Sequence, residues 1–306
     1  MQVIDCTIRD GGLMNKWQFD DACVREVVSA AVRSGVDYVE VGYKASTEYF
    51  DPTVYGKWRF SLEEDLADIW SSSYSNSKLS IMVDIGRFKL DMFIPQSDSL
   101  IKTFRIACYI DQVKEAIETS LYLDQLGYET FINIMAISSS SQGELKKALQ
   151  LIDQTSPCKA VYVVDSFGSL SMNQTAGLIK LYKDSCPSKK IGFHGHNNQQ
   201  LALANTLMAI ECGAEYVDGT FYGMGRGAGN CPLELLLTQL GKTPTEIKPI
   251  ASAIERHINP LRQKLRWGYH LPYALSGLLN THPRKAMAAM LKDESVMTDE
   301  FWNVAY

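Results

Sequence analysis

The sequence predicts a (β/α)8 TIM barrel with a C-terminal helical extension. Three observations lead there. Short β-rich runs recur eight times, longer helical patterns follow them, and no linker separates two halves. Repeats at roughly 20 to 40 residue intervals suit a fold whose usual size is about 250 residues. A doubly wound open sheet is the alternative; eight units without a linker favour the barrel.

The β-rich runs are "VIDCTI" (3–8), "DYVEVGY" (37–43), "LSIMVDIG" (79–86), "IKTFRIACYI" (101–110), "TFINIMAI" (130–137), "AVYVVDSF" (160–167), "KIGFHGH" (190–196) and "EYVDGTF" (215–221). Several are apolar at nearly every position, as expected of parallel strands covered on both faces. Between them, "FDDACVREVVSAAVRSG" opens on an Asp cap signal. It spaces Val24, Val27, Val28, Ala31 and Val32 along one face and stops at Gly35. "DQVKEAIETSLYLDQLG" and "QQLALANTLMAIECG" end in the same manner at Gly127 and Gly213. The connection after the third strand, "RFKLDMFIPQSDS", is short. The predicted barrel domain spans residues 1–244. Residues 245–306 break the repeat, with Pro249, Pro260, Pro272 and Pro283 among helical pieces, and are read as an extension packed on the barrel.

Composition narrows the function. The chain has 306 residues, 46% apolar and 21% charged, enough to bury a sizeable core. A net charge of -5 without a basic run gives no support to nucleic-acid binding. No apolar stretch is long enough to span a bilayer, and the chain starts on a strand-like "QVIDCTI", so neither a membrane anchor nor a signal peptide is expected. Seven scattered cysteines, odd in number and without C-x-x-C spacing, predict reduced thiols in a cytoplasmic protein.

Barrel active sites form at the C-terminal ends of the strands. Strand 7 ends in "HGH", where residues two apart share a face, so His194 and His196 present two imidazoles side by side. Strand 1 ends in "TIRDGG", giving Arg9 and Asp10; strand 8 runs into "GMGRGAGN", ending at Asn230. In a closed barrel strands 7, 8 and 1 are contiguous. Two imidazoles, a carboxylate and an amide oxygen then make a mixed site for a divalent metal, Mn2+ or Mg2+ first, with Zn2+ or Co2+ as alternatives. Without a thiolate, a closed structural zinc site is not expected. Each piece also has a plain reading. Asp10 can cap a turn formed by Gly11 and Gly12, and Arg9 can be a surface ion-pair partner. The glycine-rich loop, including Gly227, can be a phosphate-binding nest. Glu40, Asn133 and Asp165 lie near strand ends as candidate substrate contacts, as supports of other site residues or as loop caps.

"DCTIRDGG", "HGHNN" and "GMGRGAGN", in that order, resemble the metal-dependent barrel family that includes 4-hydroxy-2-oxovalerate aldolase, hydroxymethylglutaryl-CoA lyase and the isopropylmalate and citramalate synthases. The resemblance covers residues 1 to about 240 and looks closest to the aldolase branch. "GYHLPY" (268–273) resembles the tyrosine-bearing helical segment that follows the barrel in those aldolases. The resemblance implies that Asp10, His194 and His196 are metal ligands, that Asn230 is the additional ligand of the lyase branch, and that Arg9 stabilises an enolate. Two positions depart from it. Leu13 stands where the oxovalerate aldolases have a histidine, and Gly12 and Leu13 stand where the synthases have Glu-Gln. The acid–base group must then come from elsewhere. Tyr269, His270 and Tyr273 of the extension are the first candidates, with His282 beside them.

The chemistry suits these residues. A 2-oxo acid chelates a divalent ion, which polarises its carbonyl; cleavage of the neighbouring carbon–carbon bond puts negative charge on the keto oxygen, where an arginine can meet it. The expected function is therefore a carbon–carbon lyase, a metal-dependent aldolase with a pyruvate-type enolate and an aldehyde as partners. The alternatives are a Claisen-type acyl-CoA lyase or synthase, and a non-catalytic barrel subunit that retains the metal. A metal hydrolase is a fourth reading, but there H-x-H belongs to strand 1. The extension is a candidate contact surface for a second copy or a partner enzyme.

Overall fold

A computed structural model describes residues 1–290. The end of the expected extension, residues 291–306, lies outside the described residues. Eight parallel strands close into a barrel in sequence order: β1 (Gln2–Asp5), β2 (Tyr38–Tyr43), β3 (Lys78–Asp84), β4 (Thr103–Cys108), β5 (Glu129–Ile134), β6 (Ala160–Asp165), β7 (Lys190–Gly195) and β8 (Tyr216–Gly219). Closure comes from β1 pairing with β8, from Gln2 opposite Tyr216 to Asp5 opposite Gly219.

The helices in chain order are α1 (Thr7–Asn15), α2 (Asp21–Arg33), α3 (Glu63–Ala67), α4 (Val113–Gln125), α5 (Gln142–Thr155), α6 (Met172–Ser185), α7 (Ala202–Glu211), α8 (Leu233–Gln239), α9 (Pro244–Ala253), α10 (Asn259–Leu265), α11 (Leu271–Leu278) and α12 (Arg284–Met290). In α2, Asp20 accepts the Ala22 N–H at 2.8 Å, while Val24, Val27, Val28 and Ala31 are buried against the strands. Each such valine contributes roughly 1.5–3 kcal/mol of burial. No helix crosses from β3 to β4; two short 3-10 turns serve instead, and Phe93 between them packs edge-on against Phe104 at 5.1 Å.

One local expectation is corrected. The first strand stops at Asp5, and the segment read as strand end and glycine turn is the helix α1. Asp5 Oδ1 accepts the Thr7 N–H at 3.1 Å and also the Thr7 hydroxyl, and Thr7 Oγ1 accepts the Phe221 N–H at 2.8 Å. These bonds start the helix and tie it to the end of β8. Gly11 and Gly12 are needed for space: a Cβ at Gly12 would lie 2.1 Å from the Trp17 ring, and one at Gly11 would lie 2.8 Å from Met224 Sδ.

The barrel interior is layered. At its base Tyr38, Phe131, Tyr162 and Tyr216 pack with Ile4. Above them lie fully buried charges, Glu40, Arg105 and Asp218, with the Arg105 guanidinium 4.4 Å from the centre of the Tyr162 ring. After α9 the chain takes a π-helical turn over Ile254–Ile258, immediately before Pro260, whose ring cannot fit a regular helical turn behind it. α11 and α12 then lie over the ends of β6 to β8. Asn198 Nδ2 donates to the Tyr273 carbonyl at 3.2 Å and to Ser276 Oγ at 3.0 Å, and Ala228, Tyr273 and Ala286 form a small buried cluster. Among the described residues no helix is long and apolar enough to cross a membrane.

Candidate active site

A cavity of about 280 Å3 opens at the C-terminal ends of the strands. Its floor carries Arg9, Asp10, His194 and His196, all buried. The liganding atoms of Asp10, His194 and His196 lie within 4.8 Å of one another, a grouping that could hold a metal ion. His194 Nε2 is 3.5 Å and His196 Nε2 3.9 Å from Asp10 Oδ2.

Both rings are oriented from behind. His196 Nδ1 lies 3.0 Å from the Asp165 carbonyl, which can only accept, so the proton is on Nδ1 and the Nε2 lone pair faces the cavity. His194 Nδ1 lies 2.7 Å from Asp218 Oδ2 in the same sense, and Asp218 Oδ2 also takes Arg105 Nη2 at 2.6 Å. Asp10 Oδ1, His194 Nε2, His196 Nε2 and Asn230 Oδ1 are buried without a hydrogen-bond partner. Asn230 Nδ2 is occupied by the Met224 carbonyl at 3.0 Å, so its oxygen is the free end. The Gly225 backbone fits against it: a Cβ there would lie 2.2 Å from Asn230 Nδ2 and 2.9 Å from Asp10 Oδ1.

The electrostatics follow from this packing. Burial by itself would raise the Asp10 carboxyl, but Arg9 and the two imidazoles hold it well below the usual carboxylate range. Burial, then Arg226, keeps His196 far below an ordinary histidine and therefore neutral. Burial disfavours charge on His194 too, but Asp10 and Asp218 outweigh it and raise the group. A second trio, Cys6, His194 and Asp218, is also close together. It is already committed: Arg105 Nη1 donates to Cys6 Sγ at 3.3 Å, burial pushes the Cys6 thiol well up, and His194 and Asp218 hold each other.

Arg9 is fixed by two charge-assisted bonds, Nε to Glu40 Oε2 and Nη1 to Asp10 Oδ2, both at 2.6 Å. Glu40 Oε2 also receives Arg105 Nη1 at 3.1 Å. Asn133 lines the cavity with its Oδ1 unpartnered, and Leu13 lines it too.

The other expected contacts lie elsewhere. Glu40 braces Arg9 from behind and does not line the cavity. The Asp165 carboxylate accepts the Ser169 and Leu170 N–H groups at 3.0 and 3.1 Å, closing the loop after β6. Gly227 takes a left-handed backbone conformation, φ +59°, beside Tyr273 and Pro283, and does not line the cavity. Tyr269, 60% exposed, His270 and Tyr273 do not line the cavity. Tyr273 is used in packing, with His270 edge-on to it at 5.8 Å. The extension reaches the cavity through His282 and Arg284 instead.

Sequence reasoning also passed over Arg105, Asp218 and Arg226. Asp218 lies two residues after the inward Tyr216 in "YVDG", a charge at an inward strand position, and that signal could have found it. The sequence shows Arg226 only as part of a glycine-rich loop; it lines the cavity, with Nη1 2.8 Å from His282 Nε2 and Nη2 donating to the Ser166 carbonyl at 2.9 Å.

A closed parallel barrel with a carboxylate and two imidazoles converging at its C-terminal mouth defines a class of barrel proteins with a metal-type centre. A family model described as HMGL-like matches residues 1–258, and the chain belongs to that family. It is 30% identical over 284 residues to 4-hydroxy-2-oxovalerate aldolase 3 of Rhodococcus jostii (strain RHA1), covering 88% of this chain and 82% of that protein. The crystal structure of the N-terminal domain of a candidate aldolase from Bacteroides vulgatus superposes with a TM-score of 0.79 at 30% identity, covering 96% of this chain and 98% of that one. The HMG-CoA lyase of Brucella melitensis, at 16% identity and a TM-score of 0.68 over 86% of this chain and 98% of that one, shares the fold.

Proposed function

We propose that this chain is a divalent-metal-dependent aldolase that forms or cleaves a carbon–carbon bond beside the keto group of a pyruvate-type 2-oxo acid, with an aldehyde as the other partner. One observation carries the metal: Asp10, His194 and His196 bring their liganding atoms within 4.8 Å of one another, and each has a buried polar atom without a partner, as does Asn230. Each such atom costs about 1–3 kcal/mol when left unsatisfied, so a shared ligand is the economical explanation. Two imidazole nitrogens with carboxylate and amide oxygens suit Mn2+ or Mg2+, with Zn2+ or Co2+ as alternatives. When bound, such an ion supplies Lewis-acid polarisation of the 2-oxo carbonyl.

The chain's own residues supply the rest. Arg9 has Nε and Nη1 tied to carboxylates, while Nη2 has no hydrogen-bond partner among the described residues. Its N–H groups are thus held ready for the negative charge that develops on the keto oxygen, a contribution of about 2.7–4 kcal/mol for a preorganised donor. Asn133 offers a free amide oxygen to the substrate from the same cavity. Leu13 gives that wall an apolar surface with no proton to exchange. Relatives bearing the name 4-hydroxy-2-oxovalerate aldolase support the aldolase reading; the Claisen-type alternative has likeness of fold alone. Seven unpaired cysteines support a reducing, cytoplasmic setting.

The test is a coupled assay: 4-hydroxy-2-oxo acids are offered to the Mn2+-loaded protein and released pyruvate is measured. Pyruvate release that stops on chelation supports the proposal. A fully loaded, folded protein that releases none from any 4-hydroxy-2-oxo acid contradicts it.

A further inference from the structure

We infer that the outer part of the cavity binds an anionic group, a phosphate or a carboxylate, on the aldehyde half of the substrate. This rests on the aldolase reading above and deepens it.

The cavity's charged groups divide in two. On the floor, Arg9 is matched by Asp10 and Glu40, and Asp84 on the wall faces Arg59 at 3.4 Å. Toward the mouth the balance fails. Arg87, Arg226 and Arg284 line the same cavity, and none has a carboxylate within ion-pair distance among the described residues. Arg87 and Arg284 are exposed and come from the loop after β3 and the start of α12; Arg226 comes from the loop after β8. Three segments distant in sequence thus bring cations to one opening.

Arg226 is held only by neutral acceptors, His282 Nε2 and the Ser166 carbonyl, and its Nε is buried without a partner. His282 brings Arg226 no negative charge: burial, then Arg226 and Arg284, push it down to about 4, and a neutral ring has one accepting nitrogen for the two donors that face it, Arg226 Nη1 at 2.8 Å and the Arg284 N–H at 3.1 Å. Like charges gathered in a partly enclosed space repel one another. A planar guanidinium with open N–H positions answers a carboxylate or phosphate through paired bonds. The 2-oxo acid's own carboxylate belongs on the floor beside Arg9 and the liganding residues, so these arginines await a second anion. At about 280 Å3 the cavity admits only a short aldehyde. The reaction itself is unchanged: pyruvate's methyl carbon loses a proton and bonds to the aldehyde carbon, whose oxygen gains a proton.

Condensation with pyruvate is measured for two matched pairs, glycolaldehyde phosphate against glycolaldehyde and succinic semialdehyde against butanal. The charged member of one pair is expected to win in kcat/KM, which also tells phosphate from carboxylate. Arg226→Gln and Arg284→Gln should each shrink that preference by about 10- to 100-fold, the worth of one charge-assisted hydrogen bond. Equal or better use of the neutral member in both pairs, by protein that exchanges pyruvate's methyl protons, overturns the anion site and leaves the aldolase reading standing. If exchange is absent and every aldehyde is inert, the aldolase reading fails. The anion site is then judged by calorimetric titration of the intact protein with inorganic phosphate and with succinate. Binding of either that weakens in Arg284→Gln supports it; binding of neither overturns it.

Discussion

Asp218 holds His194 by the ring nitrogen that faces away from the cavity, with 2.7 Å between Asp218 Oδ2 and His194 Nδ1. The same oxygen receives Arg105 Nη2 at 2.6 Å, so a fully buried arginine on β4 fixes an imidazole on β7 through a carboxylate on β8. Carboxylates behind a liganding imidazole set its tautomer and raise its basicity. Asp218→Asn is therefore expected to weaken Mn2+ affinity by about 10- to 100-fold. It also leaves Arg105 with one carboxylate instead of two, so the melting temperature should fall. Equilibrium dialysis and thermal unfolding read the two effects separately; unchanged metal affinity would remove Asp218 from the site.

Arg9 should be separable from the ligands. Arg9→Ala is expected to retain one divalent ion per chain and to lose turnover by roughly 100-fold or more, the scale of single donor deletions. Arg9→Lys keeps the charge but not the fork that meets both Glu40 and Asp10, and it should recover only part of the loss. Turnover equal to the parent in Arg9→Ala contradicts the enolate role.

Four substitutions in the extension distinguish packing from action on substrate. Tyr269→Phe and His270→Ala should leave aldol turnover near the parent, because neither side chain lines the cavity. Tyr273→Phe should do the same, since the phenyl ring keeps the contact with Ala228 and Ala286. His282→Ala should lower kcat/KM, because Arg226 Nη1 loses its 2.8 Å acceptor. A loss confined to Tyr273→Phe or His270→Ala would place the acid–base group where the structure does not put it.

Stability should depend on pH through Asp5. Burial pushes its carboxyl up to about 7, against the bonds from Thr7, so the folded chain keeps a proton that the unfolded chain releases near its ordinary value. The sign is fixed by linkage: this contribution is complete below about pH 4 and is lost as pH rises through about 7. Asp5→Asn carries no such proton. The melting temperature of the parent, relative to Asp5→Asn, should therefore fall between about pH 4 and pH 7 and level off above it. A constant difference across that range contradicts a raised Asp5.

The barrel was legible because its strands are apolar on both faces and its helices end at glycines, features set by short-range geometry. The liganding residues were legible for the same reason: His194 and His196 share a strand face, and closure brings β7, β8 and β1 together. The α1 helix was not legible. Its start depends on Asp5 bonding to Thr7 and on Thr7 bonding to Phe221, over 200 positions away, and its glycines serve Trp17 and Met224. Of the Glu40, Arg105 and Asp218 layer, the sequence offers Glu40 as a candidate contact, while Arg105 and Asp218 stand in strand runs where a single charge at an inward position reads as an exception. In the extension, the order of Tyr269, His270, Tyr273 and His282 carries no sign of which will face inward. That is decided by Asn198 pinning the Tyr273 carbonyl and by Tyr273 filling the space beside Ala228.

The enolate itself can be observed most directly by proton NMR of pyruvate in D2O, with the aldehyde left out. Metal-loaded protein should replace the methyl protons with deuterium, and exchange should stop on chelation and in His196→Ala. Exchange that persists in the chelated protein, or that is absent in the folded, fully loaded one, contradicts a metal-assisted enolate at Asp10, His194 and His196.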